Sequence, residues 1–199
     1  MSTTTHPSAE HRGRSKHTTL RLVLSALFLS LGYVLPFMTG QIKEIGNMLL
    51  PMHIPVLLCG MVCGWKYGCA VGFMLPLTRS LFFGMPVMFP SAISMAFELA
   101  TYGLIVGLLY VTFKKQNLLT IYISLISAMI AGRLVWGMMQ AILLGSTGTP
   151  FTFRLFLAGA LLQAVPGILL QLILIPSVIF TLHKTHLLPF RKGTYQQEK

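Results

Sequence analysis

Four ionisable side chains stand in stretches that otherwise carry almost no charge. His53 lies in "NMLLPMHIPVLLCG" (47–60), Glu98 in "SMAFELATYG" (94–103), Arg133 in "AMIAGRLVWGMMQ" (128–140) and Arg79 in "PLTRSLFFG" (76–84). A carboxylate, an imidazole and a guanidinium are the parts of an acid–base site, of a receptor for a polar molecule, or of a buried ion pair. No His-x-x-x-His, Gly-x-Ser-x-Gly or phosphate-cradling glycine loop accompanies them, so neither a zinc hydrolase, a serine hydrolase nor a nucleotide site is written here. A charge inside a membrane helix costs at least about 2.5–3.5 kcal/mol on insertion scales, so each one needs a reason to be present.

Two reasons stay open. Glu98, Arg133 and Arg79 line a polar substrate cavity, with Asn47, Tyr102, Gln140 and Gln163 adding hydrogen bonds; or Glu98 pairs with Arg133 or Arg79 to lock helices together. His53, boxed between Pro51 and Pro55, has a structural reading of its own, since the prolines free nearby carbonyls that accept from its ring N–H. Lys43, Glu44 and Arg154 fall near the ends of apolar segments, where they meet water.

The elements that carry these residues are membrane helices. Of 199 residues 54% are hydrophobic and only 10% charged, with a mean hydropathy of +0.74; a soluble domain has about 25% charged residues. Six apolar segments of spanning or near-spanning length are placed at 18–38, 46–64, 67–83, 88–113, 117–144 and 151–183, where a helix needs about 20 residues to cross a bilayer. Alternating strands are absent, so the expectation is an all-α integral membrane protein, a six-transmembrane-helix bundle. Residues 1–16 are expected to form a disordered basic tail, 17–186 the membrane domain and 187–199 a second tail. The first apolar run ends in "YVLPFMTGQ" without a small-residue cleavage site, and reads as a retained helix, not a signal peptide.

Charge sets the orientation. Fifteen Lys and Arg oppose four acidic residues, a formal charge of +11. Eleven of the fifteen (Arg12, Arg14, Lys16, Arg21, Lys66, Lys114, Lys115, Lys184, Arg191, Lys192 and Lys199) fall in the termini or in the second and fourth connections. That is the cytoplasmic Lys/Arg bias, predicting both termini inside, and it is not a nucleic-acid-binding face. Cys59, Cys63 and Cys69 sit in apolar segments and form neither a disulfide framework nor a metal set. Gly60, Gly64, Gly68 and Gly72, with Gly103 and Gly107, recur every four residues, the spacing at which helices approach closely in lipid.

The ordered set "IGNMLLPMHIPVLLCG" (45–60), "GWKYGCAVGFMLPLTRSLFFGMPVMFPSAISMAFELATYGLIVGLLY" (64–110) and "AGRLVWG" (131–137) resembles the substrate-binding S components of energy-coupling factor (ECF) vitamin importers, over roughly residues 20–183. The resemblance implies a six-helix protein in a bacterial plasma membrane, not an enzyme, that binds a water-soluble vitamin or precursor of the hydroxymethylpyrimidine/thiamine, pyridoxine or pantothenate class. It implies docking on a transmembrane coupling subunit (T component) with two ATPase subunits, which hydrolyse the ATP as the S component topples to deliver its vitamin. No cofactor is implied for this chain itself. Such proteins offer the coupling subunit a small-residue seam on the first helix, typically Ala-x-x-x-Ala; "SALFLSLG" (25–32) supplies Ala26 and Ser30, with Ser in the second place. The resemblance also implies a pocket near the outer face, under the loop at 39–50, with Glu98, Tyr102, Arg133, Trp136, Gln140 and Gln163 in its wall and His53 at its rim. The competing readings are a small membrane enzyme or scaffold built on Glu98, Arg133 and His53, and a stand-alone gradient-driven carrier.

Overall fold

A computed structural model of the chain describes residues 8–38, 50–113, 117–148, 152–159 and 164–184. The described residues form seven α-helices: α1 (Ser8–Met38), α2 (His53–Cys63), α3 (Trp65–Phe83), α4 (Ile93–Thr112), α5 (Leu118–Ser146), the single-turn α6 (Phe153–Leu157) and α7 (Val165–Lys184). A π-type turn at Met88–Ala92 leads into α4. Four stretches are long and apolar enough to cross a membrane, namely Thr18–Phe37, Met88–Thr112, Leu118–Ser146 and Val165–Leu182. The chain is an all-α membrane protein.

Three sequence expectations change. α1 begins at Ser8, so residues 8–16 of the basic tail are helical rather than disordered; alanine, glutamate, arginine and lysine there are good helix formers. Among the described residues of the segment at 46–64 the helix starts at His53, and Pro51 sits in the turn before it, where the His53 backbone N–H donates to the Leu50 carbonyl at 3.0 Å. Pro55 is tolerated in the first turn of α2, where its missing N–H would have had no helical partner. The segment at 151–183 divides into α6 and α7; Pro166 stands at the start of α7, the position at which proline initiates a helix.

Glycine fixes how α2, α3 and α4 pack. Gly64, at φ +100°, makes the turn from α2 directly into α3, a backbone region that glycine enters freely. A Cβ on Gly68 would strike the Gly60 Cα, one on Gly103 would strike the Gly68 carbonyl, and one on Gly107 the Trp65 backbone. The ordered contacts of 107 with 65, 103 with 68 and 72 with 99 make α3 antiparallel to α4, with backbones in touch. In lipid, where apolar surface gains nothing from leaving its solvent, such dispersion contacts hold helices together. The buried core includes Leu57, Leu75, Leu99 and Val106 of these three helices and extends to Phe28 of α1, Leu125 of α5 and Ile175 of α7. α1 packs on α2 and α3, α5 on α4, and α7 on α2 and α5. The N-terminal ends of α2 and α4 therefore share one end of the bundle with the C-terminal end of α3.

Candidate functional site

At that end, three helices converge on Glu98. It is 1% exposed, on α4, between His53 of α2 and Arg133 of α5. Glu98 Oε1 is 3.1 Å from Arg133 Nη1 and 3.4 Å from His53 Nε2. The pair open in the sequence is thus Glu98 with Arg133. Tyr102, one turn further along α4 and 1% exposed, lies beside the same carboxylate and guanidinium, its ring centroid 5.1 Å from that of His53. Gly132 makes room: a Cβ there would collide with the Tyr102 ring.

The cluster is incompletely satisfied. Neither contact to Oε1 has hydrogen-bond alignment, and among the described residues Glu98 Oε1, both ring nitrogens of His53, and Nε and Nη2 of Arg133 have no hydrogen-bond partner. The carbonyl partner expected for His53 is not among the described groups. A buried polar atom left unpaired costs about 1–3 kcal/mol, a cost that a further partner at this cluster would remove.

Arg133, Trp136 and Gln140 follow at i, i+3 and i+7 along α5 and share one helix face. Gln140 Oε1 is another buried atom without a partner. Trp136 stacks on Phe156, with centroids 6.4 Å apart and planes at 29°. Gly137 is what admits Phe156 against α5, and Gly159 what admits the Trp136 ring, since a Cβ at either position would meet that aromatic. The single turn α6 thereby presses an aromatic face over α5 just past Arg133.

Arg79 lies elsewhere. It is 3% exposed, donates from Nη1 to the Tyr33 carbonyl at 2.9 Å, and places its guanidinium 5.2 Å from the Phe37 and 5.6 Å from the Phe83 ring centroids. These are cation–π distances, and with the Tyr33 hydroxyl on Thr78 Oγ1 they clamp α1 to α3. Asn47, Gln163 and the loop at 39–49 lie outside the described residues. Arg154 is exposed on α6. Ala26 and Ser30 sit on the outward side of α1, between Leu22, Val23, Leu27 and Leu31, while Ser25, Phe28 and Gly32 face inward.

Two further residues were not singled out in the sequence. Phe156 gave no signal there, being one aromatic of thirteen phenylalanines. Gln171 did give one, as a lone amide in "GILLQLILIP" (167–176); it is 1% exposed on α7, and its Nε2 has no partner among the described residues.

A bundle with a buried, half-satisfied polar cluster has the makings of a receptor for a small polar molecule. Comparison with known families decides which kind: the model of the ECF transporter substrate-specific component matches residues 20–185. The chain belongs to this family. No curated protein and no solved structure matches it. As an S component it is a substrate-binding transport subunit and not an enzyme, so Glu98, His53 and Arg133 are to be understood as binding or structural groups, not as a catalytic set.

Proposed function

We propose that this S component captures a water-soluble vitamin or vitamin precursor at the outer face of a bacterial plasma membrane and hands it inward in complex with a coupling subunit and two ATPases. The chain crosses six times, with α2 and α3 as the two short or proline-broken crossings, and both termini are cytoplasmic. In that orientation the Glu98 cluster is in the outer half of the bundle, and Lys66 together with the connection at 114–116 is on the inner side. ATP is hydrolysed by the partners, and this chain holds no cofactor. The hydroxymethylpyrimidine/thiamine, pyridoxine and pantothenate classes are the substrate candidates.

The family match over 20–185 carries this reading, and the open valences of Arg133 and His53 support it. The test is reconstitution. ATP-dependent vitamin uptake should require this chain together with a coupling subunit and ATPases, while the chain alone binds substrate without transporting it. Uptake by the chain alone, or failure to assemble with any coupling module, would overturn the reading.

A further inference from the structure

The open valences around Arg133 also have a charge balance, and that balance restricts the substrate. Arg133 spends Nη1 on Glu98, 3.1 Å away, and keeps Nε and Nη2 without a partner. Those two N–H groups form the edge of the guanidinium that grips two adjacent acceptors side by side. The usual occupant of such an edge is a carboxylate. Here, however, the guanidinium charge is already cancelled by Glu98, which is 1% exposed. A carboxylate docked on this edge would therefore leave one net negative charge in a buried site, a cost of several kcal/mol per ion even after relaxation. An uncharged group with the same acceptor geometry has no such cost.

We infer that the substrate presents an uncharged, planar nitrogen heterocycle to this site, with acceptors of the ring or its substituents on Nε and Nη2 of Arg133, a donor on Gln140 Oε1, and its ring plane against the Trp136–Phe156 stack. Glu98 then works as a counter-charge that strips Arg133 of its preference for anions, and the specificity is written in hydrogen bonds and stacking. The donor and acceptor complement is the one on the page: two open donors on Arg133 and one open acceptor on Gln140, beside rings stacked 6.4 Å apart. A buried polar set rejects a ligand that fails to pair with it far more strongly than an apolar pocket rejects a misfit.

This inference rests on the substrate-binding reading of the same site, and the experiment separates the two. The full chain, purified in detergent at mildly alkaline pH, is titrated calorimetrically with hydroxymethylpyrimidine, pyridoxine and nicotinamide as neutral probes, and with nicotinate, pantothenate and biotin as carboxylates; small molecules retained through purification are identified by mass spectrometry. The expected result is binding of a neutral heterocycle, no carboxylate or phosphate among the retained molecules, and no binding of the three acids. Arg133→Lys, which keeps the counter-charge but loses the paired edge, should weaken the bound heterocycle by at least about tenfold, the scale of a hydrogen bond to a charged group. Its melting temperature without ligand should stay near that of the native chain. Should that variant not fold, Gln140→Leu reads the same loss at the acceptor side. Glu98→Gln, which leaves the guanidinium uncompensated, should open the site to acids. A carboxylate bound by the native chain overturns the inference and leaves the importer reading standing. Binding of neither set, with nothing retained, overturns the reading beneath it.

Discussion

Glu98 and Arg133 are each expensive alone and tolerable together. Removing one partner of a buried pair strands the other charge and costs about 3–5 kcal/mol, whereas replacing both with neutral groups of similar size is often nearly neutral. Arg133→Met should therefore lower thermal stability markedly and abolish substrate binding. Adding Glu98→Gln to it should restore most of the stability but none of the affinity. A thermal melt and a calorimetric titration of the single and double variants read these two outcomes separately; a double variant as unstable as the single one would mean that the pair is not the stabilising unit. Arg79 gives the contrast, because its guanidinium is spent on the Tyr33 carbonyl and the Phe37 and Phe83 rings. Arg79→Met should change melting temperature while moving substrate affinity by less than about threefold, since residues without shared partners act independently. From sequence these two arginines look alike, each a lone cation in an apolar run. The cost of charge in lipid was enough to find both. Which one meets Glu98 depends on the relative register of α3, α4 and α5, and no local pattern encodes that.

At the scale of elements, small residues decide which helix faces meet. The glycine spacing was legible at 68–72 and 103–107, where period four brings residues onto one helix face; Gly64 breaks the longer row by turning α2 into α3, and the contacts of Gly60, Gly68, Gly103 and Gly107 pack the three helices. Gly103→Ala should destabilise the bundle by about 1–3 kcal/mol or more, the range for overpacking, because the added methyl would strike backbone that has no rotamer to yield. Gly145→Ala is the control: a Cβ there meets nothing within 4 Å, and alanine favours a helix over glycine by about 1 kcal/mol. Opposite signs in a thermal melt are the expected outcome, and equal effects would mean that the α3–α4 contact is looser than the glycines indicate. The elements that escaped the sequence are those where apolarity continues while the backbone does not. The break between the segments placed at 67–83 and 88–113 was legible, and Gly84, at φ +69°, and the π-type turn at Met88–Ala92 lie there; the break that escaped is further along. Residues 151–183 read as one apolar run, and only Pro166 hinted that α7 starts afresh. Phe156 rides on α6, the piece that this break creates, so its place over Trp136 could not be seen before the break was.

At the scale of the whole molecule, two sides of the bundle have different duties. The converging ends of α2 and α4 with the middle of α5 hold the polar cluster, while α1 packs its described inward residues Phe28, Gly32 and Tyr33 into the core and against α3. Its other side is left outward, with Ala26 and Ser30 as the only small side chains among Leu22, Val23, Leu27 and Leu31. A stripe of that kind makes a shallow notch in an apolar surface, which a partner helix can enter closely and lipid chains fill loosely. If the coupling subunit docks there, the two functions of the S component are separable by mutation. Ala26→Trp should block the close approach and abolish ATP-driven uptake in proteoliposomes, while substrate affinity in detergent stays within about twofold, because the added ring points away from the bundle and shares no partner with Glu98 or Arg133. Lost affinity with intact assembly would place this face of α1 in the substrate pocket. Intact uptake would move the docking seam to another helix, and the long outward face of α5, with Ile126, Ile130, Leu134 and Met138 exposed, would be the next to test by the same substitution.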